Sequence, residues 1–195
     1  MTTVSEDRPP GAPAHSHSHS FVPPALVHWR VWLTRHPIAG AALIGAMATW
    51  VATIFGFGLR GVGLPQINWP IANGSVVLPK SSAAVQFSAG GLIHGIDGVV
   101  FTMIFVVFVY PLLGQSRAPA ANMARGIFFG VVLATLTAGF LVPYVYYPHA
   151  GAGIFGSGYG WRVVLAIYLW DLVFGVTLGL LYSPLKADDP LLAPS

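Results

Sequence analysis

Residues 161–182 read WRVVLAIYLWDLVFGVTLGLLY, an apolar run interrupted only by Arg162 at its edge and Asp171 in its middle. A helix that crosses a hydrocarbon layer of roughly 30 Å needs about 20 mostly apolar residues, and this stretch meets that requirement. Three more do so: 38–58 (IAGAALIGAMATWVATIFGFG), which carries no charge; 83–113 (AAVQFSAGGLIHGIDGVVFTMIFVVFVYPLL), whose ionisable groups are His94 and Asp97; and 126–147 (GIFFGVVLATLTAGFLVPYVYY), which has none. Backbone polar groups inside lipid must satisfy one another. Helices do this segment by segment, and no alternating ten-residue pattern suggests a barrel. The sequence therefore reads as an all-α, polytopic membrane protein, a bundle of four transmembrane helices.

The composition agrees. Of 195 residues 55% are hydrophobic and 8% charged, with mean hydropathy +0.70, where a soluble domain carries about 25% charged residues. Cysteine is absent, which excludes disulfides, thiolate metal sites and cysteine nucleophiles together. The stretch 83–113 is too long for a plain span, at roughly 46 Å if helical throughout, so it either starts outside the hydrocarbon or tilts. With four spans both termini share one side. That side collects Arg8, Arg30, Arg35, Arg117, Arg125 and Lys186, against Arg60, Lys80 and Arg162 on the other, which places both termini in the cytoplasm of a bacterial-type plasma membrane. Tyr144, Tyr146, Tyr147 and Trp161 then form part of the outer aromatic belt.

Outside the 38–184 membrane domain, residues 1–20 are polar and rich in Pro, Ser and His, the composition of a disordered tail, and 185–195 form a C-terminal tail. No signal peptide is expected, since the apolar run near 38 lacks a short basic lead and a cleavage site. Leu26, Trp29 and Leu33 recur at helical spacing within 21–37, with Arg30 and Arg35 nearby, so this segment reads either as an interfacial amphipathic helix or as an extension of the first span, with Pro37 favouring a break. The loop 59–82 holds three prolines and an Asn73-Gly74 turn signal, consistent with a hairpin or cap over the bundle. Asn73-Gly74-Ser75 also matches a short glycosylation pattern. The glycine-rich, uncharged loop 148–160 is expected to stay near the membrane surface.

The ionisable groups at depth are the most informative feature. Asp97 and Asp171 both fall near the middle of their segments, where a charge costs from about 2.5 to more than 10 kcal/mol. His94 and Asp97, three apart, share a helical face. The expected arrangement is a hydrogen-bonded cluster of His94, Asp97 and Asp171 linking the second and fourth spans. Three roles compete for it: structural glue through a His94–Asp171 or His94–Asp97 contact, a proton or ion path, and a metal or haem site. One histidine and two carboxylates are a thin shell for a transition metal, and a bis-histidine haem needs a second buried imidazole, for which His149 at a membrane edge is poorly placed. Gly91 and Gly95, like Gly175 and Gly179, are small-xxx-small pairs that permit close helix approach, and the two stripes are expected to meet, burying the acids between them. Gly126, Gly130, Ala134 and Ala138 give the third span a similar face.

His15, His17 and His19 alternate with serine and form either a solvated spacer or a weak divalent-metal tail. Residues 151–156 (GAGIFG) fit G-x-G-x-x-G, but no strand precedes them, so dinucleotide binding is rejected. Phosphate-loop, nucleophile-elbow, H-E-x-x-H and EF-hand signatures are missing. A net charge of +3 with arginines scattered at helix ends does not make a nucleic-acid surface.

From Arg125 onward the chain (RGIFFGVVLA, then VPYVYYPHAGAGIFGSG, then GVTLGLLY) resembles a loose group of small four-helix bacterial and archaeal membrane proteins of unassigned function. The shared elements are an Arg-Gly helix start, a Gly-rich loop with a phenylalanine and a Gly-xxx-Leu-Gly last helix; Asp171 stands where the group suggests a histidine. The resemblance implies the fold and no activity. Short soluble parts, missing catalytic motifs and small-residue helix faces together point to a non-catalytic accessory or structural subunit of a larger membrane assembly, possible respiratory complexes included, with lipid and other subunits or a second copy as partners. The alternatives are a small transporter or proton/ion channel using His94, Asp97 and Asp171, and a haem- or quinone-binding redox subunit. No cofactor is expected, with haem and a divalent metal left open.

Overall fold

A computed structural model describes residues 23–114, 118–148, 151 and 153–193. The readings made for 1–20, for His15, His17 and His19, and for His149 lie outside the described residues. Within them the chain is helical, with no strand.

Two proline-opened helices begin the fold: α1, Pro24–Arg35, and α2, Pro37–Gly58. Proline in a first turn gives up an N–H that has no helical partner anyway. The break between them falls at His36, with φ −132° and ψ 60°. α1 folds back on the bundle through fully buried Leu33, whose Cδ2 an added Cβ on Gly40 would meet at 2.5 Å. After a 3-10 turn, Leu59–Val62, the chain enters a short helix, α3, Trp69–Val77. Asn68 caps α3, its Oδ1 accepting from Ile71 N at 3.0 Å, which satisfies one orphan donor of the first turn. The Asn73-Gly74 pair therefore lies inside a helix and not in a hairpin turn, because the Asn68 cap and Pro70 start the helix upstream of it. Asn73 is 6% exposed, so the folded chain does not present its side chain as a glycan acceptor.

α4, Ala83–Ile104, continues through a π-helical turn, Phe105–Val109, into α5, Tyr110–Leu112. α6, Pro119–Leu136, likewise continues as a π-helix, Thr137–Tyr146. In both rods the widened stretch accompanies a proline, Pro111 or Pro143, which has no N–H to give and whose ring collides with the carbonyl four residues back. α6 starts seven residues before the expected boundary at 126, again at a first-turn proline. A 3-10 segment, Ile154–Tyr159, leads to α7, Trp161–Leu181. Four helical rods are long and apolar enough to cross a membrane: Pro37–Val62, Ala83–Leu112, Ala120–Tyr146 and Trp161–Leu181.

The helices pair α6 with α7, α3 with α4, and α2 with both α4 and α7. Glycine sets the close backbone contacts of two of these pairs. On Gly175 an added Cβ would collide with Gly126 O, and on Gly90 with Pro70 O. The second contact presses α3 against the first turns of α4, so α3 lies beside that helix at depth instead of capping it from above. Irregular or short elements survive at such depth only when protein covers them, and Trp69, Ala72 and Asn73 are buried.

This pairing corrects the expected meeting of two glycine stripes. Gly175 and Gly179 face Gly126 and the Asn122 carbonyl of α6. Gly91 and Gly95 do not abut α7: an added Cβ on Gly95 would meet nothing within 4 Å, and one on Gly91, itself buried, only the Trp50 ring of α2 at 3.6 Å. The glycines of α4 that bind its neighbours are Gly90, against α3, and Gly98, against Gly45 and Thr49 of α2.

Candidate functional site

α4 and α7 start at the same end of the bundle and carry Asp97 and Asp171 in their middle turns. Between them, with α2, α3 and the π-helical part of the third rod, lies a cavity of about 40 Å³. Thr49 comes from α2; Trp69 from α3; His94, Asp97, Gly98 and Phe101 from α4; Thr137, Leu141 and Tyr146 from the π-helix; Trp170, Asp171 and Phe174 from α7. The three ionisable residues singled out in the sequence thus line one space. They do not bond to one another.

Each has its own environment. His94 is 5% exposed, and its Nε2 lies 2.9 Å from Thr53 Oγ1. The Thr53 hydroxyl donates to Thr49 O at 2.7 Å. A hydroxyl has one proton, so His94 Nε2 is the donor to Thr53 and the neutral ring keeps its lone pair on Nδ1. Asp97 is half-buried, and its Oδ2 accepts from Asn73 Nδ2 at 3.1 Å. Asp171 is 2% exposed and its Oδ2 has no hydrogen-bond partner among the described residues. The glue contacts expected of His94 with either acid are therefore replaced by bonds to α2 and α3. α2 packs between α4 and α7 and offers Thr53 first, while Asn73 on α3 reaches Asp97.

Aromatic faces make up much of the remaining wall. The His94 ring lies 5.4 Å from Trp170, tilted 48°. Trp170 stacks on Phe174 at 6.0 Å and meets Trp69 edge to face at 6.2 Å, and Trp69 in turn contacts Tyr146 at 5.5 Å. Tyr146 is thereby turned inward, unlike Tyr144 and Trp161, which are 68% and 67% exposed and remain candidates for an aromatic belt. The wider pitch of the π-helix is what aligns Tyr146 with Thr137 and Leu141 on the cavity face.

The cavity is one-sided. Asp97, Phe101, Leu141 and Tyr146 also line a half-open groove of about 240 Å³ between α3, α4 and the π-helix, with Asn73 on its wall. Trp69 also lines a second space of about 240 Å³ beside Tyr147 and Tyr159. Toward the opposite end the bundle is shut by Phe105, whose ring meets Phe129 at 5.3 Å, Tyr110 at 5.9 Å and Tyr182 at 6.2 Å. Below that plug Arg125 Nη1 donates to Asn122 Oδ1 at 2.6 Å, and Asn122 Nδ2 to Ser183 Oγ at 3.0 Å. α1 closes this end through Trp29 Nε1 to Leu181 O at 3.0 Å and Arg30 Nε to Ser183 O at 2.9 Å.

No group of three or more His, Asp or Glu side chains converges on a metal position among the described residues. Comparison with protein-family models, with curated proteins and with solved structures finds no match for this chain, so the reading of the site rests on its own residues. Sequence reasoning missed Thr53, Trp69, Asn73, Tyr146 and Trp170. The one available signal was Pro143, which marks a widened helix where π-turns often accompany a site.

Proposed function

We propose that this chain is a multi-pass membrane protein that takes a proton or a small monovalent cation into a one-sided intramembrane cavity, in the manner of a small transporter, with Asp171, Asp97 and His94 as its binding groups. The observation that carries this reading is Asp171, which lines the cavity and whose carboxyl Oδ2 is buried without a partner among the described residues. A residue kept for packing alone makes bonds. An interhelical hydrogen bond in a membrane protein contributes on average about 0.6 kcal/mol, whereas a buried unsatisfied polar group costs about 1–3 kcal/mol. Asp171 carries that cost, and the α6–α7 contact beside it is already made by glycine. Asp97 stands between the outer groove and the inner cavity and supplies an intermediate station. The aromatic plug around Phe105 fits a closed state that opens to one side at a time.

Flux in reconstituted vesicles tests this. The parent chain should carry protons or monovalent cations, and Asp97→Asn and Asp171→Asn should each lose most of that flux while melting as the parent does. A parent without flux, or two variants that keep it, overturns the proposal.

A second reading, an accessory subunit of a larger membrane assembly, is favoured by an apolar groove between α2 and α4. Gly91 and Gly95 line this groove of about 470 Å³ with Trp50, Phe87 and Leu92, a surface that accepts a further helix closely. Mild solubilisation should then recover a partner at native abundance; a monodisperse single chain counts against it.

A further inference from the structure

The geometry points to ammonium as the ion this cavity takes: a small cation held by the Asp171 carboxylate against Trp170, with the ring edge of His94 as a second acceptor. This deepens the cation-binding reading above and rests on it.

Size comes first. A cavity of about 40 Å³ holds about three waters at the roughly 10–15 Å³ that one water needs, and it favours a small ion over a bulky organic cation. The wall chemistry comes next. Acceptors dominate the polar atoms: Asp171 Oδ2 is buried and unpartnered, Asp97 has spare oxygen capacity beyond its single bond to Asn73, and His94 Nδ1 is left as a lone pair once Nε2 is committed to Thr53. Trp170 Nε1, a buried donor without a partner, lies beside Gly56 of α2. The site therefore suits a donor-rich cation and is poorly built for an anion.

The choice among cations turns on oxygen count. Potassium is recognised by rings of backbone carbonyls that replace its hydration shell, and here the cavity is walled by helices whose carbonyls are engaged in their own ladders, apart from the one that Pro143 leaves without a donor. Thr49, Thr137 and Tyr146 are the hydroxyl residues on the wall, and the Thr49 hydroxyl already donates to Gly45 O at 2.8 Å. An alkali ion would find scattered side-chain oxygens and no carbonyl ring. Ammonium needs fewer, because it directs N–H bonds at a carboxylate and an imidazole lone pair, and it gains from aromatic faces, of which tryptophan is the best. The stacked Trp170–Phe174 pair and Trp69 provide those faces.

The test uses the purified full-length chain in detergent and reads thermal melting against added ammonium, sodium, potassium or tetramethylammonium chloride at constant ionic strength. A ligand bound only by the folded state raises stability with concentration. Ammonium should shift the melt at least tenfold lower in concentration than sodium or potassium, and tetramethylammonium should not shift it at all. Asp171→Asn, close in shape to the parent side chain, should abolish the ammonium shift. Equal shifts from sodium and potassium, a shift from tetramethylammonium, or no ammonium-specific shift in the parent overturn the assignment. The parent series needs no variant to fold. Flux of protons without ammonium binding defeats this inference and leaves the transport reading standing; ammonium binding without flux of any ion does the reverse.

Discussion

At Asp171 the nearest consequence is for stability. A carboxyl that is 2% exposed with one oxygen unpartnered destabilises the bundle by about 1–3 kcal/mol relative to a group that makes its bonds. Asp171→Leu, which fills part of the adjoining cavity, should leave melting unchanged or raise it by up to that amount, while removing cation flux; a marked drop in melting temperature would show the acid to be a packing residue after all. Thr53→Val is the opposite case. It keeps volume and removes the partner of His94 Nε2, so the melt should fall by about 0.6–1.7 kcal/mol, the range found for such bonds between membrane helices. No change would mean that His94 bonds elsewhere. Asp97, Asp171 and His94 were legible because an ionisable group inside an apolar run contrasts with everything around it. Asn73 and Trp69 were not, since they belong to a proline-bearing stretch whose turn signals outweighed its helix cap. Thr53 is one hydroxyl among several in apolar helices, and nothing in its spacing says that a histidine from another helix will meet it.

Between elements, the decisive feature is which glycines touch backbone. The sequence offers small-residue pairs on α4 and α7 with equal weight, and periodicity cannot say which face of a helix apolar all round meets protein and which meets lipid. The structure separates them: Gly175 abuts Gly126 O, while Gly95 abuts nothing. Gly175→Leu should therefore prevent stable assembly of α6 on α7, because the colliding atom is backbone and cannot rotate away; the loss exceeds the roughly 1–3 kcal/mol of ordinary overpacking. Gly95→Leu should melt as the parent does. The two variants, compared by melting and by size-exclusion in the same detergent, decide the point: equal loss in both would place α4 against α7 as the stripe pattern first suggested. The widened turn beside Pro143 belongs to this scale too. It rotates Tyr146 into the cavity, a displacement no three-to-four-residue periodicity anticipates.

For the whole molecule the four spans were readable from length and apolarity alone, and lysine and arginine near the helix ends give an expected orientation. If both termini are cytoplasmic, the Arg30 and Arg125 cluster around Asn122 and Ser183 lies at the inner face. The end from which α4 and α7 descend to Asp97 and Asp171 then lies outside, and a cation reaches the cavity from the outer face first. Absence of cysteine from the chain makes this directly measurable. Lys80, between α3 and α4, and Lys186, after α7, are both exposed and lie at opposite ends of the bundle. In intact cells a membrane-impermeant thiol reagent should label Lys80→Cys and spare Lys186→Cys, and after the membrane is permeabilised it should label both. The reverse pattern would invert the molecule and put the cavity's opening on the cytoplasmic side, which turns an uptake geometry into one suited to release. Labelling of both positions in intact cells would mean that an even number of crossings lies between them in place of the three expected, and the four-span topology itself would fall.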